Sequence, residues 1–223
     1  MKVKVIVFDL DDTLYDEITY VKSGFMAVAN AYMPENPHAM FAKMCETLER
    51  DGRGKVFDAA LTSFGFTSKQ DVKKALSIYR SHMPKICLND DAEAMLKYYE
   101  QQNIPLYIVT DGNKLVQERK IKALGLQNRV KKAFITHRYG TIHAKPSPYC
   151  FLKIAQLEGV KNEEIVYIAD NVNKDFVGIK KLGFKSVRIS QGMFRDAQKP
   201  AEFQAHAEID SLLELQSLLK VSK

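Results

Sequence analysis

Residues 3–8 (VKVIVF) make a nearly continuous β-branched run that stops on acids, since Asp9, Asp11 and Asp12 follow at once. A run of this kind is a strand buried on both faces, the pattern of a parallel sheet covered by helices. The acids end it and carry their side chains at its carboxyl end. Parallel strands cannot be joined by tight hairpins, so the remaining chain must supply long crossovers.

From about Asp16 to Lys85 the pattern changes. Apolar residues recur at three-to-four spacing, as in Phe41, Met44, Cys45 and Leu48, or Val72, Leu76 and Tyr79. Breaks fall at Met33-Pro34, at Asp51-Gly52-Arg53-Gly54 and at Gly65. This predicts several short helices and no strand. Beyond Met83-Pro84 strands and helices alternate. Strands are expected over 104–110, 133–136, 165–169 and 186–189. Helices are expected from Asn89 or Asp90 to Gln102, from Asn113 to Leu124, from Ser147-Pro148 to Glu158 and up to Leu182. The tail over 210–219 is amphipathic. Alternation of this kind predicts an α/β fold, a doubly wound parallel sheet with helices on both faces. The catalytic core is expected in 1–15 and 86–223, with a helical domain inserted at 16–85.

Composition removes several classes. The 223 residues are 46% hydrophobic and 27% charged, the balance of a globular protein. No apolar run approaches the roughly 18 residues of a membrane span. The opening MKVKVIVFDLDD is interrupted by acids and does not read as a signal peptide. The cysteines Cys45, Cys87 and Cys150 are scattered, with no zinc or disulfide pattern, so a reducing, cytoplasmic setting is expected. A net charge of +6 raises nucleic acid as a partner. No Lys/Arg block supports it, and a small anionic substrate fits the charge as well.

In doubly wound sheets ligands bind beyond the carboxyl ends of the strands. Asp9, Asp11 and Thr13 follow the first strand. Thr110, Asp111 and Gly112 follow the second, Lys145 the third, and Asp170 and Asp175 the fourth. Asp9 and Asp11, two apart at a strand end, can point to one side. With Asp170 they form a carboxylate cluster that repels itself unless a hard cation, Mg²⁺, sits among the oxygens. Lys145 adds charge the metal does not need and can help neutralise a phosphoryl group. Thr110 and the main-chain N–H groups around Asp111 and Gly112 can hydrogen-bond its oxygens. A carboxylate can then act as nucleophile through an aspartyl-phosphate.

VIVFDLDDTLY resembles the first motif (DxDxT) of the haloacid dehalogenase-like hydrolase superfamily. IVTDG resembles the second, Lys145-Pro146 the third, and IADNVNKD the fourth, usually GDxxxxD, with Ala169 where Gly is usual. The four stand in the family's order and cover the whole core. The resemblance implies a Rossmann-like core with strand order 5-4-1-2-3 and makes the insertion similar to the family's four-helix cap. It implies that Asp9 is the nucleophile and a Mg²⁺ ligand. Asp11 would be general acid and then base, its main-chain carbonyl also on the metal. Thr110 would bind the phosphoryl group and Lys145 hold its charge. Asp170 would ligate Mg²⁺, and Asp175 would support the metal shell or Lys145.

The resulting expectation is a Mg²⁺-dependent phosphatase acting on a small phosphomonoester, a sugar phosphate or nucleoside monophosphate. The alternatives are a phosphomutase or a haloacid dehalogenase on the same fold, or a non-catalytic binding protein. A dehalogenase needs no second acid, so Asp11 speaks against it. Asp12, Asp16 and Asp90 read as caps or turn formers, Thr13 as a turn residue, and His137 and His143 as loop residues. Phe25, Met26, Met40, Phe41 and Met44 read as core. Between Lys114 and Lys153 ten Lys/Arg accompany one acid, Glu118, mostly as a solvated helix face. Arg53, flanked by Gly52 and Gly54, can reach a substrate or serve as an ordinary helix connection in equal measure.

Overall fold

The computed structural model describes residues 1–221. The chain divides into two compact units, Met1–Glu17 with Cys87–Lys223, and Ile18–Ile86. The first is built on a parallel sheet. Its strands are β1 (Lys2–Val3), β2 (Val5–Phe8), β3 (Leu106–Thr110), β4 (Lys132–Ile135), β5 (Ile165–Ala169), β6 (Lys185–Ile189), β7 (Ala207–Ile209) and β8 (Lys220–Val221). Six of them form one sheet in the order β4-β3-β2-β5-β6-β7, every pair parallel. Read from its other edge, this is the expected 5-4-1-2-3 order with β7 added outside.

Parallel pairing demands cover on both faces, and the side chains show it. Val5, Val7, Tyr107, Val109, Ile165 and Tyr167 pack on one side with Cys150, Phe151, Ile154, Phe176 and Ile179. Ile6, Phe8, Ile108, Val166 and Ile168, which point the other way, are also fully buried. The sheet helices are α5 (Asp90–Gln101), α6 (Lys114–Ala123), α7 (Tyr149–Glu158), α8 (Val177–Lys180) and α9 (Leu215–Leu218). They follow α1 (Glu17–Tyr32), α2 (Pro37–Asp51), α3 (Val56–Ser63) and α4 (Lys69–Ser81), which make up the helical unit. There Phe25, Phe57 and Tyr79 pack edge-on or tilted against one another, and Met40 and Met44 are fully buried. Phe41, expected in the core, is only partly buried, as is Met26. Among the described residues no helix is long and apolar enough to cross a membrane.

Several local expectations are corrected. The first strand is interrupted at Lys4, because Lys2–Val3 pair with Lys220–Val221 in a separate two-stranded sheet. The helix expected up to Leu182 is confined to Val177–Lys180, since the preceding backbone turns on itself through Asp175 N–H to the Asn171 carbonyl. The helix after Ser147-Pro148 starts at Tyr149, with Pro148 in the cap position. Asn89 precedes α5 without a side-chain cap bond. Asn113 does cap α6, its Oδ1 accepting from the N–H groups of Leu115 and Val116. The amphipathic tail splits into a short turn and α9.

Candidate active site

The chain order puts β2 at the centre, with β3 on one side and β5 on the other. The crevice at their carboxyl ends is where a ligand is received in a sheet wound in both directions. A cavity of about 160 Å³ lies there, lined by Asp9, Asp11, Asp12, Glu17, Thr110, Asp111, Asp170, Asn171, Lys174 and Phe194.

Asp9 leaves β2 with its N–H still bonded to the Ile168 carbonyl at 2.8 Å, which fixes its backbone against β5. Lys145 Nζ lies 2.9 Å from Asp9 Oδ1 and 2.8 Å from Asp175 Oδ1. It also donates to the Tyr167 hydroxyl at 2.9 Å. Asp175 is committed on both oxygens, because its Oδ2 accepts the Asn171 N–H at 3.0 Å. Burial works against the charge on Lys145, but Asp175 and Asp9, and then Asp111, outweigh it and hold the ammonium well above its ordinary range. The loop carrying Lys145 is set by two contacts. Asp111 Oδ1 accepts the Lys145 N–H at 3.1 Å. On the other side Gly178 leaves room for the Pro146 carbonyl, which a Cβ there would meet at 1.7 Å.

Asp9, Asp170 and Asp175 are all buried, and each brings a carboxylate oxygen within 4.8 Å of the others. Burial, only partly offset by Lys145 and sharpened by Asp175, pushes Asp9 up to about 7. Burial, with Asp9 and Asp175, pushes Asp170 up to about 9. The buried cluster therefore favours its protonated form without a cation, and an all-oxygen donor set of this kind fits a hard divalent cation that would displace the protons.

Asp11 lies in a different setting. Its Oδ1 receives Lys120 Nζ at 2.6 Å and the Tyr15 hydroxyl. Its Oδ2 receives Gln117 Nε2 at 2.8 Å. Burial would raise the Asp11 carboxyl, but Lys120, Tyr15 and Gln117 together bring it below the ordinary range. Gln117 Nε2 also donates to Thr110 Oγ1 at 2.7 Å.

The remaining sequence candidates divide. Thr110 ends β3 in the crevice. The Asp111 side chain accepts from Thr136 Oγ1 at 2.6 Å and Lys174 Nζ at 3.0 Å, so it braces the loops while its main chain stays at the strand end. Burial opposes its charge, but Lys145 and Lys174 keep its carboxyl below the ordinary value. Gly112, with φ of 133°, sits against the Gln117 side chain, 3.3 Å from where a Cβ would lie. Asp12 is a turn residue as expected, accepting the Glu17 N–H at 2.8 Å and the Met193 N–H at 3.3 Å. Arg53 belongs to the helical unit, in the turn Arg53–Lys55 between α2 and α3. Within the basic stretch Lys120 and Lys145 are buried, while Arg138–Glu118 at 2.9 Å and Lys131–Glu158 at 2.9 Å are surface ion pairs.

Sequence reasoning missed Gln117, Lys120, Tyr15, Tyr167 and Lys174. A signal existed for two of them. Gln117, Lys120 and Ile121 of α6 and Leu124 at its C-cap share an i, i+3, i+4, i+7 stripe, and all four are buried. Two polar residues inside an apolar stripe need polar partners, and here they find Asp11 and Thr110.

Comparison with known proteins agrees with this architecture. The model of the haloacid dehalogenase-like hydrolase family matches residues 3–183. A glyceraldehyde 3-phosphate phosphatase of Methanocaldococcus jannaschii is 28% identical, covering 98% of this chain and 97% of that one. A phosphoglycolate phosphatase of Neisseria meningitidis is 26% identical, covering 85% and 81%. The crystal structure of the putative HAD-hydrolase YfnB from Bacillus subtilis, bound to magnesium, superposes with a TM-score of 0.71 at 20% identity, over 98% of this chain and 99% of that one. The four motifs, the parallel sheet that aligns them and the family match together make this chain a member of the haloacid dehalogenase-like hydrolase family.

Proposed function

We propose that this protein is a Mg²⁺-dependent phosphatase that hydrolyses a small phosphomonoester, most closely a sugar phosphate, through a phosphoryl group carried on Asp9. The observation that carries this reading is the pairing of Asp9 with Lys145 at 2.9 Å, beside two further buried carboxylates and within one cavity with Asp11. The phosphatase relatives and the magnesium-bound structural neighbour support it.

Asp9 and Asp170, with the main-chain carbonyl of Asp11, would hold the ion. Asp175, which the sequence also offers as a ligand, is the better partner for Lys145. Bound Mg²⁺ supplies charge neutralisation at the carboxylates and at the phosphoryl oxygens. The carboxylate of Asp9 attacks phosphorus, and the bond from phosphorus to the leaving oxygen breaks. Asp11, ionised in the free site, takes up a proton as the phosphate ester binds and gives it to that oxygen. In the second half Asp11 takes a proton from water as the water oxygen attacks phosphorus, and the bond to Asp9 breaks to release phosphate. Lys145 and Thr110 hold the charge and position of the transferring group. Arg53 would touch the part of the substrate that the core does not.

The test is turnover of a phosphomonoester panel with and without Mg²⁺. It should include glyceraldehyde 3-phosphate, phosphoglycolate, nucleoside monophosphates and 4-nitrophenyl phosphate, ranked by kcat/KM. Metal-dependent release of phosphate, best on a sugar phosphate, is expected. No turnover of any ester, or full turnover in excess chelator, would overturn the reading.

A further inference from the structure

Lys120 is a lysine with only 3% of its side chain exposed, on a helix where Lys114 and Lys122 are exposed. Burying an ammonium is costly unless it is paired. Its ammonium pairs with the carboxylates of Asp11 at 2.6 Å and Glu17 at 3.7 Å. It also lies 5.9 Å from the centre of the Tyr15 ring, whose hydroxyl bonds to the same Asp11 oxygen. Gln117, one turn earlier, is 2% exposed and reaches the other oxygen.

The donor count distinguishes the two oxygens of Asp11. Oδ1 accepts from an ammonium and a phenol. Among the described residues, Oδ2 accepts only from the Gln117 amide, and Asp11 lines the cavity. A carboxylate oxygen has two lone-pair sites, so Oδ1 is filled and Oδ2 keeps one. The amide of Gln117 has two hydrogens, and both are used: one on Asp11 Oδ2, one on Thr110 Oγ1 at 2.7 Å. A hydroxyl that accepts from an amide keeps its own hydrogen to donate. Thr110 is thereby left as a donor into the cavity, where a phosphoryl oxygen would sit. Gly112 permits the arrangement, since a Cβ there would press on the Gln117 side chain at 3.3 Å.

We infer that Lys120 and Gln117 are positioning residues for the proton transfer. Lys120 with Tyr15 fixes Oδ1 so that Oδ2 is the oxygen that exchanges a proton with the leaving group and with water. Gln117 sets the spacing between that oxygen and the phosphoryl-binding hydroxyl of Thr110. This rests on the phosphatase reading of the site. It adds residues outside the four motifs and a choice between the two Asp11 oxygens.

The inference is tested by Lys120→Met, Lys120→Arg and Gln117→Leu, each assayed with Mg²⁺ on glyceraldehyde 3-phosphate and on 4-nitrophenyl phosphate. A sugar alkoxide needs a proton as it leaves, whereas nitrophenolate does not. Lys120→Met should lower kcat on the sugar phosphate by about 100-fold, at the low end of general acid–base contributions, and by at least tenfold less on the aryl ester. KM should move little. Lys120→Arg should recover part of the loss. In the Asp11→Asn background, Lys120→Met should cost little more, because both act on one step. Should Lys120→Met fail to fold, Gln117→Leu reads the same leaving-group pattern, with an added rise in KM from Thr110. Equal losses on both esters, or full additivity with Asp11→Asn, would overturn the positioning role while leaving the phosphatase reading intact. A wild-type protein that hydrolyses neither ester would overturn both.

Discussion

Lys145 Nζ stands 2.9 Å from Asp9 Oδ1 with only 1% of its side chain exposed, so the ammonium that neutralises Asp9 is also an internal structural charge. It holds apart two carboxylates, Asp9 and Asp175, that would otherwise face each other. Lys145→Met should therefore abolish turnover and destabilise the metal-free protein by about 3–5 kcal/mol, the usual cost of breaking a buried pair. Chemical denaturation with and without Mg²⁺ checks this. A variant as stable as wild type would mean that Asp9 and Asp175 do not depend on Lys145.

Gly178 should tolerate no side chain. Its missing Cβ would lie 1.7 Å from the Pro146 carbonyl oxygen, a backbone atom that can move only by shifting the Lys145 loop. Gly178→Ala should cost roughly 1–3 kcal/mol, as overpacking does, and should lower kcat because Lys145 moves. Thermal melts and steady-state kinetics on one preparation read both effects. Unchanged kcat would separate the loop from the chemistry.

The metal-free protein should lose stability as pH rises. Asp9 and Asp170 are pushed from an ordinary value of 3.8 to about 7 and about 9. The native state therefore binds more protons than the unfolded chain across that window. Their contribution is fully present below 3.8 and is lost as pH climbs through the two raised values. Mg²⁺ should oppose the loss, so its stabilising effect should grow between about pH 5 and pH 9. Melting temperatures in chelator and in Mg²⁺ across that range test the sign. A Mg²⁺ effect that shrinks with pH would contradict the carboxylate cluster as its site.

Arg53 should govern substrate choice more than chemistry. It stands in an exposed turn beside Gly52, whose φ of 72° suits glycine. On the proposed mechanism the core supplies the groups a phosphoryl ester needs, and discrimination would come from groups that touch the rest of the molecule. Arg53→Ala should raise KM for the best panel substrate several-fold and change kcat/KM for 4-nitrophenyl phosphate less. Equal changes on both would make this turn an ordinary connection between α2 and α3.

The strands and the residues at their ends were legible because both signals are local. IVYIA predicts β5 residue for residue, and Asp170 follows it directly. The same held for Asp9 after β2 and Thr110 at the end of β3. What escaped were partnerships across the chain. Lys120 meets Asp11 over a separation of 109 residues, and on sequence it looked like one more cation in a basic stretch. Edge elements escaped for another reason. β7 spans only three residues, Ala207–Ile209, and owes its conformation to pairing with β6 more than to its own pattern. The shortened α8 reflects a turn held by Asp175, which bonds back to Asn171 instead of beginning a helix.

The most direct test of the account is to trap the covalent intermediate. Brief reaction of the wild-type protein with the best panel substrate and Mg²⁺, an acid quench and mass spectrometry of the peptides should find one phosphoryl group on Asp9. Asp9→Asn, folded but inactive, should carry none. A phosphoryl group on any other residue, or undiminished turnover by Asp9→Asn, would contradict it.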